Sequence, residues 1–170
     1  LKGPQPTAFG SFAVNGAVNI VSNTARFDEQ TFEIGAGVGS FDEYRINGVA
    51  NLPVTDWLAF RLAAFSVDKD GYSDNVSGEN QNARVGTNLR FTTSVKTDRF
   101  RGDVIIALED NDGPGIGFNS KYYRTDGGIA DAGSDLDFGP TNTVIDREIA
   151  LYQLKTQFDV TSNLSVAYNA

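Results

Sequence analysis

The chain contains no cysteine, no histidine and no methionine, and a single tryptophan, in 170 residues. Without cysteine there can be no disulfides, no iron–sulfur clusters and no thiolate zinc sites. Without histidine the commonest general base and metal ligand is missing, and with it most hydrolytic machinery. What metal chemistry remains is the oxygen-ligand chemistry of hard cations. Basic charge is scarce as well. The net charge is −8, with a pI near 4.4, so there is no basic stripe of the kind that binds nucleic acid. No apolar run approaches the roughly 18 residues that a membrane-spanning helix needs, and the mean hydropathy is −0.27. That excludes helical spans only. Barrel strands cross a bilayer in about 9–11 residues, with one apolar face each.

What is present is alternation with a period of two. "TFEIGAGVG" (31–39), "YRINGVANL" (44–52), "WLAFRLAAFSV" (57–67), "ARVGTNLRFTTSV" (83–95), "FRGDVIIALED" (100–110) and "REIALYQLKTQFDV" (147–160) each read as a strand, and "NLSVAYNA" (163–170) begins a seventh. A helix is the competing reading for 57–67, where Leu58, Leu62 and Phe65 fall at i, i+4 and i+7. The strongly alternating neighbours and the lack of end signals favour strand. "AVNIVS" (17–22) reads as a short strand of its own. The expectation is an all-β antiparallel meander of about seven long strands, each paired with its neighbour in sequence. Leu58, Phe60, Leu62, Leu89, Phe91, Val104, Ile106, Tyr152 and Leu154 should share one face. Arg45, Arg61, Arg84, Arg90, Arg101 and Gln153 should share the other.

Connections alternate in length. "PVTD" (53–56), "KTD" (96–98) and "TSN" (161–163) are tight turns. On the other side lie "GSFDE" (39–43) and two long segments, about 68–82 and 110–146. Short turns on one side and long loops on the other is the asymmetry of an outer-membrane barrel. In the longest loop Phe118, Tyr122 and Tyr123 are candidate ligand contacts, because binding residues concentrate on loops held by a rigid wall. Asp131, Asp135 and Asp137 lack the calcium-loop pattern.

The first 25 residues differ in character, with Gly3, Gly10 and Gly16 punctuating small and apolar residues. Lys2-Gly3-Pro4, Phe9-Gly10 and Gly16-Ala17-Val18-Asn19-Ile20-Val21 follow one another as in the closing segment of the plug of TonB-dependent outer-membrane receptors, which this stretch resembles. "GAGVGSFDEYRINGVAN" and "LPVTDWLAFRLAAFSVDKDGYSDN" are similar to the first strands, turns and loops of that family's barrel. The resemblance is specific through about residue 75. It implies that residues 1–25 are the C-terminal segment of a plug domain and that residues 26–170 are the N-terminal third of a 22-stranded transmembrane β-barrel. On this reading the chain starts inside a plug and ends inside a strand. Lys2, Gly3, Pro4, Phe9, Gly10, Gly16 and Asn19 would be plug-motif positions, and the five arginines would line the lumen.

The resemblance further implies a Gram-negative outer-membrane location, contact with lipid, and energised uptake of a scarce small-molecule solute such as siderophore-iron, a corrinoid or an oligosaccharide. It implies a TonB-type energy-transducing partner reached through a segment absent from this chain. No enzymatic activity, cofactor or nucleic-acid partner is implied. A soluble, secreted β-sandwich that binds carbohydrate would share the alternation and acidity, but not the plug-like series or the loop asymmetry. A secreted hydrolase using a carboxylate pair has no motif behind it.

Overall fold

The computed structural model describes residues 21–72, 80–114 and 144–170. They form one seven-stranded antiparallel sheet, in the order of the chain. Its strands are β1 (Thr31–Gly39), β2 (Glu43–Thr55), β3 (Leu58–Lys69), β4 (Arg84–Lys96), β5 (Phe100–Pro114), β6 (Val144–Thr161) and β7 (Leu164–Asn169). No helix occurs among the described residues, and 57–67 is strand after its first residue. No second sheet covers this one among the described residues, and β1 and β7 are its open edges.

The register fixes the faces. Leu62 is opposite Phe91, Phe91 opposite Ile106, and Ile106 opposite Tyr152. One residue along, Arg61, Thr92, Ile105 and Gln153 form the matching row on the other side. Side chains alternate between faces along a strand, so both expected sets hold together as sets. The apolar face is open to its surroundings: Ile34 is 83% exposed and Tyr152 70%. The other face, here the arginine face, is more mixed than its alternation implied. Val49, Phe65, Ile105 and Leu151 lie on it beside the arginines.

The apolar band does not follow a row of hydrogen-bonded partners. On β2 it runs from Tyr44 to Leu52, centred at Gly48, whose partners in turn are Ala64, Leu89, Leu108 and Ala150. On β6 it runs from Ala150 to Phe158, centred at Leu154, four residues nearer the short turns. Four residues over four strand-to-strand steps is one residue per step. With a rise of about 3.3 Å per residue and a strand spacing of about 4.8 Å, the band is inclined about 35° from the perpendicular to the strands. Beyond it toward the long loops, the same face turns acidic: Asp110 is opposite Glu148, and Asp112 opposite Asp146.

Several boundaries differ from expectation. "PVTD" is mostly strand, and the turn is Asp56–Trp57. Pro53 lies past the last β1 partner of β2, Asn51, so its missing N–H costs the ladder nothing on that side. The long connections are shorter than expected, because β5 continues to Pro114 and β6 starts at Val144. The backbone ladder runs on past the apolar band through residues whose side chains do not alternate. Of the strand expected over 17–22, only Val21 and Ser22 are described, and they are unpaired coil. The plug-motif positions Lys2 to Asn19 and the loop residues Phe118, Tyr122 and Tyr123 lie outside the described residues.

Candidate functional site

Every lysine and arginine of the seven strands lies on the arginine face: Arg45, Arg61, Lys69, Arg84, Arg90, Lys96, Arg101, Arg147 and Lys155. That face also carries Glu33, Glu43, Asp103, Glu109 and Asp159. The apolar face carries Asp68, Asp110, Asp112, Asp146 and Glu148, with no cation to balance them. An acidic protein has thus separated its strand charges into a net positive face and a net negative one.

Three features occupy the arginine face in order of height. At the long-loop end is a cleft of about 600 Å³, whose lining includes Tyr72, Arg84, Asn88, Glu109, Asn111 and Arg147. Adjacent strands build it. Asn88 is opposite Glu109 in register, and Asn111 is opposite Arg147. The Glu109 carboxylate accepts from Arg147 Nη2 at 2.5 Å and from the Asn111 side-chain amide. Gly86, opposite Asn111, leaves the space that amide occupies: a β-carbon at 86 would lie 2.5 Å from Asn111 Oδ1. Arg84 is exposed and has no carboxylate partner among the described residues. At the rim, Lys69 Nζ sits 5.7 Å from the Phe41 ring centre and 5.6 Å from that of Tyr72, and 3.6 Å from Glu43.

Below the cleft, and sharing Asn88 and Glu109 with it, is a hollow of about 330 Å³. Val49, Ala63, Phe65, Ala107 and Leu151 make its lining largely apolar, with Arg90 at its side. Cleft and hollow form one continuous groove, polar and cationic above and apolar below.

At the short-turn end, residues 24–29 lie across the arginine face as a strap. Asn51, 1% exposed, holds it with three hydrogen bonds. Its Oδ1 accepts from Arg26 N at 2.9 Å, and its Nδ2 donates to Arg26 O at 3.0 Å and Glu29 O at 2.7 Å. Ser94 Oγ accepts from Ala25 N and donates to Asp103 Oδ1 at 2.5 Å. The Phe27 ring lies 4.4 Å from Lys96 Nζ and 6.0 Å from the Arg101 guanidinium. On the strap itself, a hydrogen bond from Arg26 and the charge of that guanidinium hold the Asp28 carboxyl below the usual carboxylate range.

The five arginines expected on one face are on one face, but not in one site. Arg84 borders the cleft and Arg90 the hollow. Arg45 pairs with Glu43, at 3.3 Å. Arg61 is in the row of Asn51, and Arg101 is tied to the strap through Thr24 at 3.3 Å. Sequence reasoning missed Asn88, Glu109, Asn111 and Arg147. Their parity in the alternation was the available signal. It also missed the Asn51 clamp, for which the sequence offers none, because the clamp's partner is coil about 25 residues away. Comparison with known proteins adds nothing here: no protein-family model, no curated protein and no solved structure matches the chain.

Proposed function

We propose that the chain contributes about seven strands to the wall of a TonB-dependent outer-membrane receptor, a 22-stranded barrel that takes up a scarce solute when a TonB-type partner works on its plug. The observation that carries this reading is the oblique apolar band. A sheet closing into a barrel must tilt its strands by about 35–45° from the barrel axis, so a level belt of lipid crosses the strands obliquely. An inclination of about 35° is what such a belt would print on them. The uncovered face, the open edges and the segregation of short turns from long connections support the same reading. So does the plug-like series at residues 2–21.

In this reading the apolar face meets lipid, and the arginine face meets the lumen and the plug. Residues 24–29 join plug to wall at the periplasmic end. The groove, at the external end, is where a solute from outside first meets the wall. The solute passes through unchanged, with no chemistry on it.

Site-directed nitroxide labels on the full-length receptor test the reading. Labels at Leu62, Leu89 and Tyr152 should relax with lipid-dissolved oxygen and be insensitive to a water-soluble nickel chelate. Labels at Arg61 and Arg90 should do the reverse. Nickel accessibility at both sets would leave a soluble sheet as the better description.

A further inference from the structure

We propose that the groove on the arginine face takes an anionic solute with an apolar body, rather than a neutral oligosaccharide. The inference rests on the transport reading for the solute's role as cargo. Its chemistry rests on the groove alone.

The charge census decides the sign. Arg147 is neutralised by Glu109, but Arg84 at the mouth and Arg90 lower down have no carboxylate partner among the described residues. Unpaired guanidinium groups on a face that is net positive concentrate anions and present forked donors that fit carboxylate, sulfonate or phosphate oxygens. Asn88, shared by both parts of the groove, adds an amide between the two. The hollow below decides the body. Val49, Phe65 and Leu151 offer apolar surface with few hydrogen-bonding groups, which suits a hydrocarbon or aromatic moiety and leaves sugar hydroxyls unpartnered. Of the other strand acids on this face, Glu33, Glu43, Asp103 and Asp159 lie outside the groove, and Asp112 is the one further carboxylate of its lining, so Arg84, Arg90 and Arg147 still outnumber Glu109 and Asp112 there.

The test is equilibrium dialysis of full-length receptor in a neutral detergent, with binding counted above protein-free micelles. Naphthalene-1-sulfonate is the anionic probe, naphthalene-1-methanol its neutral match and maltohexaose the sugar. The sulfonate should bind best, and increasing salt should weaken it. Arg84→Gln and Arg90→Gln should each weaken it about tenfold, the loss expected for one charge-assisted hydrogen bond. Arg84→Lys, which keeps the charge but not the fork, should restore part of the loss. Glu148→Gln, on the opposite face, should change nothing. Equal binding of the alcohol, preference for maltohexaose, or sulfonate binding unmoved by both glutamine variants would overturn the inference. So would a Glu148→Gln effect as large as theirs, since the field would then belong to the whole protein. Loss of anion preference in a receptor that still needs detergent overturns the solute class alone. A receptor that is monodisperse without detergent overturns the membrane reading, whatever it binds.

Discussion

Replacing Asn51 by alanine should release the strap without unfolding the sheet. Asn51 is almost fully buried and makes three hydrogen bonds to the backbone of Arg26 and Glu29, at 2.7 to 3.0 Å. Each such bond contributes about 0.5–1.5 kcal/mol net, so the clamp is worth about 2–4 kcal/mol. The Ala25–Ser94 and Thr24–Arg101 bonds and the Phe27 cation contacts remain, so the strap loosens first around Arg26. Amide hydrogen exchange on the full-length protein is the assay. An opening made easier by about 2–4 kcal/mol speeds exchange at Arg26 by about thirty- to several-hundred-fold. Amides in the middle of β3 and β4 should be unaffected. Asn51→Asp should be at least as damaging, because it keeps the acceptor for Arg26 N but sets a carboxylate against two carbonyl oxygens. Unchanged exchange at Arg26 in Asn51→Ala would refute the clamp. Uniform acceleration across β2 to β5 would show instead that Asn51 supports the whole sheet.

If the wall spans a bilayer as proposed, Leu89→Arg should destabilise it by about 2–4 kcal/mol near the midplane, whereas Arg90→Leu, one residue away on the other face, should cost far less; denaturant unfolding in lipid vesicles compares them. Gly71→Ala should lower stability by more than about 1 kcal/mol, because its new β-carbon would collide with the backbone oxygens of Asn80 and Gln81; the same unfolding assay reads it. Asp28 should titrate below the ordinary carboxylate range, and Arg26→Gln should raise its midpoint in a carboxyl NMR titration. A depressed carboxylate stabilises the folded form above its unfolded pKa and loses that contribution as pH falls through its folded value. Strap protection should therefore weaken in acid, and Asp28→Asn should remove that dependence.

The period of two carried most of the fold. It located the strands and sorted Leu89 from Arg90, because a half-covered sheet writes its two environments into alternate residues. It failed where alternation stops but pairing does not. Residues 111–114 and 144–146 read as loop because the alternation gives out there, yet they continue the β5–β6 ladder. There the side chains set like charges directly opposite one another, a local cost borne by the hydrogen bonds on either side. The site was less legible than the sheet. Arg84 and Arg90 were visible as arginines of the right parity. That Glu109 would be taken up by Arg147 and Asn111, leaving those two arginines without partners, depends on register across three strands and on the space at Gly86. The Asn51 clamp was invisible, since an asparagine in a strand looks the same whether it faces water or a returning segment of chain.

The 170-residue chain by itself should not be a stable, water-soluble monomer. Among the described residues, the buried apolar side chains are Ala25, Ala59, Val67 and Ile105, and three of these four are small. Much of the outer surface is apolar side chain at 40–80% exposure on one face, well beyond the few-hundred-Å² patch that soluble monomers tolerate. The edges add to this, since β1 and β7 each present unpaired N–H and C=O groups to any other strand. Strand closure would remove the edges and lipid would cover the face; neither is supplied by the chain alone. Expressed in isolation it should form inclusion bodies, return to solution only with detergent, and melt without a cooperative transition. A sharp two-state melt of a detergent-free monomer would refute this, because such a transition needs a packed core in place of these four residues.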